Sequence, residues 1–133
     1  MRYLLDTNIC IYAINTKPAA VFKHLCSCKP GDVGISTITI AELRYGADKS
    51  RAIEKNHSAL NQFLMPLQIL EFDEAAAGAY GSISTWLEKK GTPIGPLDTL
   101  IAAHAVSTGA TLVTNNTKEF RRVPGLAIED WTR

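Results

Sequence analysis

Short apolar segments alternate with helical segments along almost the whole chain. Strand-like runs are predicted at residues 2–6, 33–36, 67–72, 111–114 and 126–129. Helices are predicted at residues 7–15, 18–28, 39–47, 51–64, 74–90 and 95–107. Parallel strands need long crossover connections, which are usually helices. The alternation therefore predicts an α/β fold with a central, mostly parallel sheet flanked by helices.

The length and charge of the chain limit the number of domains and the kind of nucleic-acid contact. A chain of 133 residues can bury its own core, but it is too short for two ordinary domains. We expect a single domain over residues 1–133. The formal net charge of +1 gives no strong field toward nucleic acid, so a polyanionic partner would have to meet a local basic patch.

The N-terminus and the cysteines point to a reduced, cytoplasmic setting. An acid at position 6 comes too early for the apolar part of a signal peptide, and no later run is apolar enough to span a bilayer. No membrane partner is expected. The three cysteines are an odd number, which does not suggest a disulfide framework. The segment from His24 to Cys28 is half a zinc motif without a second pair, so zinc is disfavoured.

Three carboxylates and a pair of amides lie in segments that otherwise read as buried. Asp6 ends an apolar run, Glu42 interrupts an apolar helix, Asp98 opens another helix, and Asn115 and Asn116 follow a strand. Burying an acid is costly unless it is paired or bound to a metal. Four distant segments that bring oxygen ligands together would suit Mg²⁺ or Mn²⁺. Asp6 and the two amides follow strands, and ligands bind beyond the carboxyl ends of such strands.

Each polar position also has an ordinary structural interpretation. Asp6 could cap the helix that follows it, and Asp98 could stabilise the first turn of its helix through the helix dipole. Asn116 could belong to a turn. These alternatives stay open for each residue taken alone.

Glu42 is the least comfortable of the four as a surface residue. Helical spacing places it on one stripe with Ile38 and Tyr45, a face that would ordinarily point inward. The alternative is that Glu42 is solvated or pairs with Arg44 or Lys49.

Four segments together carry a family resemblance. They are Leu5-Asp6-Thr7-Asn8, Ser36-Thr37-Ile38-Thr39-Ile40-Ala41-Glu42-Leu43-Arg44-Tyr45-Gly46, Pro96-Leu97-Asp98-Thr99-Leu100-Ile101-Ala102 and Leu112-Val113-Thr114-Asn115-Asn116-Thr117-Lys118-Glu119-Phe120. In this order and spacing the chain resembles PIN-domain ribonucleases, and more closely the VapC toxins of bacterial toxin–antitoxin pairs. The resemblance covers nearly the whole length and implies a PIN-domain-like α/β/α sandwich.

The resemblance also implies roles for particular residues. Asp6, Glu42 and Asp98 match the family's acidic site, with Asp6 and Asp98 as metal ligands and Glu42 as a ligand or water-orienting base. Asn116 matches a fourth catalytic position that is often Asp, which would lower the negative charge of the site by one. Thr7 and Thr114 lie beside motif positions as supporting hydroxyls. For phosphate contacts, the basic residues near these segments favour Arg121 and Arg122.

The implied activity is that of a Mg²⁺- or Mn²⁺-dependent endoribonuclease. Its attack by activated water would leave a 3′-hydroxyl and a 5′-phosphate. Similarity to enterobacterial VapC proteins implies tRNA as substrate, specifically the anticodon stem-loop of initiator tRNA. The family further implies a homodimer and a VapB-type antitoxin that forms a higher assembly with it. The antitoxin would cover the acidic cleft and could present an Arg to the carboxylates.

Two other functions compete with this interpretation. A phosphatase with an aspartyl-phosphate intermediate would need a second acid where Asn8 stands, which disfavours that class. A non-catalytic RNA- or protein-binding PIN-like module stays open, with Asn116 as the sign of a decayed site. His104 is expected to be a packed or capping residue, while Trp86 and Trp131 are expected in the core or an interface.

Overall fold

A computed structural model describes all 133 residues as five short strands and seven helices. The strands are β1 (Tyr3–Leu5), β2 (Val33–Ser36), β3 (Gln68–Leu70), β4 (Thr111–Val113) and β5 (Ile128–Glu129). The helices are α1 (Thr7–Asn15), α2 (Ala19–Ser27), α3 (Thr37–Lys49), α4 (Ile53–Leu64), α5 (Glu74–Lys89), α6 (Pro96–Thr108) and α7 (Thr117–Phe120).

The five strands form one parallel sheet in the order β3-β2-β1-β4-β5. Leu4 in the central strand lies opposite Gly34 of β2 and Leu112 of β4. After β3 the chain crosses through α5 and α6 to the other side of β1, where β4 is added. The strand order therefore reverses around β1. A ligand crevice in an open α/β sheet is expected beyond the carboxyl ends of the strands at such a reversal.

Alternation along the strands divides the core between two faces of the sheet. Leu5 and Val113 pack in a cluster with buried residues of α1, α2, α3 and α4. Their neighbours Leu4 and Leu112 pack in a second cluster with buried residues of α5 and α6. Successive strand residues point to opposite faces, so neighbouring residues of one strand pack in different core clusters. The predicted α/β/α sandwich is confirmed.

Local capping explains where several helices begin. The Ser36 hydroxyl accepts a hydrogen bond from the backbone N–H of Ile38 and caps α3, so this helix begins at Thr37, two residues before its predicted start. The Asp73 carboxylate caps α5 through the N–H of Ala76. The four-residue α7 was not predicted, because one helical turn carries too little periodic pattern to recognise.

The two tryptophans differ in environment. Trp131 is buried in the first core cluster, as expected, and its ring stacks on His24. Trp86 is 41% exposed on α5. None of the helices combines the length and apolar character needed to cross a lipid bilayer.

Candidate active site

Asp6 lies at the end of β1, at the strand reversal. It is only 5% exposed and caps α1, accepting a 2.7 Å hydrogen bond at Oδ1 from the N–H of Thr7. Its Oδ2 accepts a 2.7 Å bond from the Thr114 hydroxyl, which follows β4. Burial raises the pKa of Asp6, the two hydrogen bonds oppose that rise, and nearby Glu119 adds to it. The capping and site interpretations of Asp6 are thus compatible, since one carboxylate occupies both settings.

Glu42 reaches the same crevice from α3. The Thr7 hydroxyl donates a 2.9 Å hydrogen bond to Glu42 Oε1, so Thr7 joins the Asp6 and Glu42 carboxylates. Glu42 is half-buried in the middle of its helix. This contact connects α1 and α3 at the site.

The basic residues considered as partners of Glu42 are engaged elsewhere. Arg44 Nη1 lies 3.0 Å from His57 Nδ1, and Arg44 Nη2 donates to Asn61 at 2.6 Å. The Lys49 ammonium lies 5.0 Å from the centroid of the Tyr45 ring. Of the stripe expected to point inward, Ile38 packs against the second core cluster and Glu42 is half-buried. Tyr45 is 64% exposed, so the expectation was wrong for this residue alone.

Asp98 lies in the first turn of α6, half-buried beside the other acids. Burial and the neighbouring Glu119, Asp6 and Glu42 carboxylates raise the pKa of Asp98 to about 7. Among these acids Glu119 has the largest effect on that pKa, so the pair favours a state in which one acid is protonated. The interpretation of Asp98 as a favourable helix-dipole acid accounts for its position but not for this crowding. The site holds more negative charge than it can accommodate in the absence of a cation.

Glu119 is a fourth carboxylate at the site. It lies in the fourth motif segment, but no role was predicted for it. Its Oε2 accepts a 2.8 Å hydrogen bond from Asn116 Nδ2, and its Oε1 accepts a 3.1 Å bond from the Gly95 N–H. These two donors hold the pKa of Glu119 below its usual value. A signal was present in the sequence, because Glu three residues after an N-cap Asn is the spacing of a capping box.

Asn116, predicted as an auxiliary catalytic residue, supports its neighbours through hydrogen bonds. Its backbone N–H donates to the Thr114 hydroxyl at 3.0 Å, and its side-chain amide is committed to Glu119. Thr114 therefore connects Asp6 with Asn116, which in turn holds Glu119. Glu119 thus adds a fourth carboxylate to the crevice, held in place by Asn116.

The donor set matches a divalent cation in chemistry. All four acids offer carboxylate oxygens, the ligands that Mg²⁺ and Mn²⁺ prefer. The raised pKa of Asp98 shows a surplus of negative charge that a cation would relieve. No three of the His, Cys, Asp and Glu side chains are already grouped so that they could hold a metal ion. Binding would therefore need side-chain adjustments and an ionised Asp98.

The candidate phosphate-binding residues differ in their relation to the crevice. Arg122 donates from Nη1 to the Pro93 carbonyl at 3.2 Å, and its charge helps to lower the pKa of Glu119, so it lies beside the acids. Arg121 is exposed at the end of α7. None of the hydrogen bonds to the four acids comes from a histidine. His104 is buried and contacts Ser36 and Phe72.

The sheet order and the acids beyond β1 and β4 define a PIN-domain protein. A family model described as PIN domain matches residues 3–126. Ribonuclease VapC2 of Rickettsia felis is 48% identical over 100% of both chains, and the tRNA(fMet)-specific endonuclease VapC of Shigella flexneri is 45% identical over 99% of both. The chain belongs to the VapC ribonucleases of the PIN-domain family. PIN-domain nucleases generally depend on a divalent metal.

Solved structures agree with this assignment. VapBC2 from Rickettsia felis, bound to a DNA fragment from its promoter, contains a chain 48% identical to this one. The two superpose with a TM-score of 0.92 over 98% of this chain and 99% of the other. DNA-bound VapBC from Salmonella typhimurium contains a chain 44% identical, with a TM-score of 0.93 and 98% coverage of both.

Proposed function

We propose that the chain, acting as one PIN domain over residues 1–133, is the toxin of a toxin–antitoxin pair. In this role it hydrolyses RNA phosphodiesters in the cytoplasm with the help of Mg²⁺ or Mn²⁺. The observation that carries the proposal is the convergence of four carboxylates from four segments at the strand reversal. Burial, together with repulsion from the other three acids, raises the pKa of Asp98 to about 7. Such crowding destabilises the fold and is explained by a role in cation binding.

Asp6, Glu42, Asp98 and Glu119 are the residues that would hold the cation. When bound, a divalent cation supplies an activated water and neutralises charge on the phosphate. Thr7 and Thr114 orient Asp6 by occupying one lone pair on each of its oxygens, and Thr7 also orients Glu42. Asn116 and the Gly95 N–H do the same for Glu119. These hydrogen bonds restrict the carboxylates to a few orientations, which limits the adjustment that cation binding requires.

The substrate we propose is tRNA, and specifically the anticodon stem-loop of initiator tRNA. Support comes from the 45% identity to a protein named as a tRNA(fMet)-specific endonuclease. Arg122 flanks Glu119 and is the better-placed phosphate contact, while Arg121 extends the same basic segment. A local basic edge beside an acidic centre would draw the RNA backbone to the carboxylates despite the small net charge of the chain.

The partners we propose are a second copy of the chain and a VapB-type antitoxin. The similar structures named VapBC support the antitoxin. A cationic side chain of the antitoxin could replace the metal charge among these acids, because a charge-assisted bond to a carboxylate is strong in a half-buried site. We expect the antitoxin to inhibit cleavage in competition with the metal.

The test is cleavage of total tRNA by the antitoxin-free protein with Mg²⁺ or Mn²⁺. Asp98→Asn and Glu119→Gln should each lower the cleavage rate by on the order of a hundredfold. The matched control is Glu88→Gln, which changes an exposed acid on α5 away from the crevice. Discrete fragments with 5′-phosphates that disappear with EDTA would support the nuclease. Intact tRNA bound equally by all four proteins would favour the non-catalytic binding module instead.

A further inference from the structure

His104 is a buried polar residue that the proposed chemistry does not use. It lies on α6, is 1% exposed, and its Nδ1 is 2.8 Å from the Ser36 hydroxyl. Ser36 is also fully buried and caps α3 by accepting from the Ile38 N–H at 3.1 Å. The imidazole therefore contacts the hydroxyl that caps the first turn of α3. A buried polar pair of this kind connects two helices that otherwise meet through apolar packing.

Neighbouring groups complete the setting of the imidazole. The Phe72 ring meets it edge-on, with centroids 5.4 Å apart. The Phe72 N–H donates to the Thr37 hydroxyl at 3.3 Å. The end of β3, the end of β2 and the beginning of α3 are thereby joined to α6 at one place. With Ser36 accepting from Ile38 and donating to Nδ1, the remaining imidazole proton is assigned to Nε2, and both polar side chains are satisfied.

The location of this contact relative to the carboxylates gives it a consequence. Glu42 follows Ser36 by six residues on α3, and Asp98 precedes His104 by six residues on α6. Six helical residues span about 9 Å, so a helix rotation of about 5° at the contact would move either acid by about 0.8 Å. Catalytic and metal sites tolerate displacements of only about 0.5 Å. The contact is well placed to set the separation of the two acids.

We propose that His104 is a positioning residue whose bond to the Ser36 hydroxyl fixes α3 against α6, sets the separation of Glu42 and Asp98, and so controls the affinity for a divalent cation. The inference rests on the proposed function, because it assumes that these acids hold the cation. His104 itself touches neither the cation nor the RNA. Its effect passes through two helices.

The test measures Mn²⁺ binding to metal-free protein by electron paramagnetic resonance, so it does not depend on nuclease activity. His104→Leu and Ser36→Ala each remove the contact, and each should weaken Mn²⁺ binding by on the order of tenfold. His104→Asn keeps a polar group near Nδ1 and should restore much of the affinity. The double variant should bind Mn²⁺ no more weakly than Ser36→Ala, because that single variant already removes the contact with His104 in addition to the cap on α3.

A matched control separates positioning from simple loss of stability. Val21→Ala truncates a fully buried side chain on α2 that belongs to a different core cluster from the buried residues of α6. It should lower the melting temperature while leaving Mn²⁺ affinity within twofold of the wild type. The inference is overturned if His104→Leu and Ser36→Ala, folded by circular dichroism, bind Mn²⁺ as the wild type does. A wild-type protein that binds no Mn²⁺ would overturn the proposed function and this inference together.

Discussion

Asp98→Asn should make the metal-free protein more stable, although it removes a proposed metal ligand. The pKa of Asp98 is about 7 against an ordinary value of 3.8, because burial and three neighbouring acids disfavour its charge. Asparagine has nearly the shape of the protonated acid and carries no charge. The variant should therefore relieve repulsion from Glu119, Asp6 and Glu42 at a pH where the wild-type acid is ionised.

The magnitude follows from the two pKa values. The difference between 3.8 and about 7 corresponds to about 4 kcal/mol of destabilisation by the ionised group. Two effects reduce this figure. Asp98 is partly exposed, so solvent screens its interactions, and the pKa of its partner Glu119 is lowered within the same pair. We expect a gain of about 1–2 kcal/mol for the variant at pH 8.

The pH dependence has a definite sign. A raised native pKa means that the folded protein binds the Asp98 proton more tightly than the unfolded chain does. The contribution of protonated Asp98 to the free energy of unfolding is complete below about pH 3.8. It is lost as pH rises through about 7. The advantage of Asp98→Asn should accordingly be near zero at pH 4 and complete at pH 8.

Urea unfolding in EDTA, followed by circular dichroism at several pH values, measures this difference. Glu88→Gln serves as the control and should show no comparable gain, since it changes an exposed acid on α5. Added Mn²⁺ should stabilise the wild type and reduce or reverse the advantage of the variant, because ligand binding stabilises the native state. A variant less stable than the wild type at pH 8 in EDTA would refute the crowding argument. So would an equal difference at pH 4 and pH 8.

Three further outcomes are expected. Thr114→Val should lower the free energy of unfolding by about 1–3 kcal/mol, because it leaves the buried Asp6 Oδ2 and the Asn116 N–H without their partner; denaturant titration measures this, and a neutral result would contradict it. Burial lowers the pKa of His104 below its ordinary 6.5. As pH falls, the unfolded chain takes up a proton before the folded protein does. The contribution of neutral His104 to the free energy of unfolding is therefore complete above about pH 6.5 and is lost at lower pH. The stability difference between wild type and His104→Asn should consequently shrink from pH 7.5 to pH 5 in urea titrations, and a constant difference would count against the assignment. Thr16→Gly should raise the melting temperature, with a gain of about 0.5–1 kcal/mol in the free energy of unfolding. Thr16 ends α1 at φ 57°, a left-handed conformation that a β-branched residue adopts at a cost. An unchanged or lower melting temperature would show that the hydrogen bond from the Thr16 hydroxyl to the Asn15 carbonyl outweighs the strain.

Much of the fold could be predicted from the sequence because its signals are local. Strand and helix segments have distinct apolar periods, and the residue that ends β1 is necessarily at the carboxyl edge of a parallel sheet. This reasoning was enough to place Asp6 at the edge of the sheet and Asp98 at the beginning of a helix. The strand order around β1 followed from no local pattern and needed the whole structure or a family resemblance.

The parts of the site that sequence reasoning missed depend on contacts between distant segments. Glu119 lies in a single helical turn, and its place among the acids depends on the Gly95 N–H, 24 residues away. Arg44 looked available to Glu42, but α4 supplies His57 and Asn61, which engage it instead. Tyr45 shares the spacing of Ile38 and Glu42 but is exposed, so the inward-facing part of this stripe ends before Tyr45.

The central claim is that Asp6, Glu42, Asp98 and Glu119 together form a divalent-cation site. Anomalous diffraction from crystals of the antitoxin-free protein soaked in Mn²⁺ tests it most directly, because Mn²⁺ is located without reference to activity. We predict an anomalous peak within coordination distance of the Asp6 and Asp98 carboxylates, with Glu42 and Glu119 binding it directly or through water, and no peak in Asp98→Asn crystals. The account would be contradicted if the four carboxylates were ordered, at a pH where all are ionised, and saturating Mn²⁺ gave no anomalous peak among them. A peak found only elsewhere on the surface would contradict it as well.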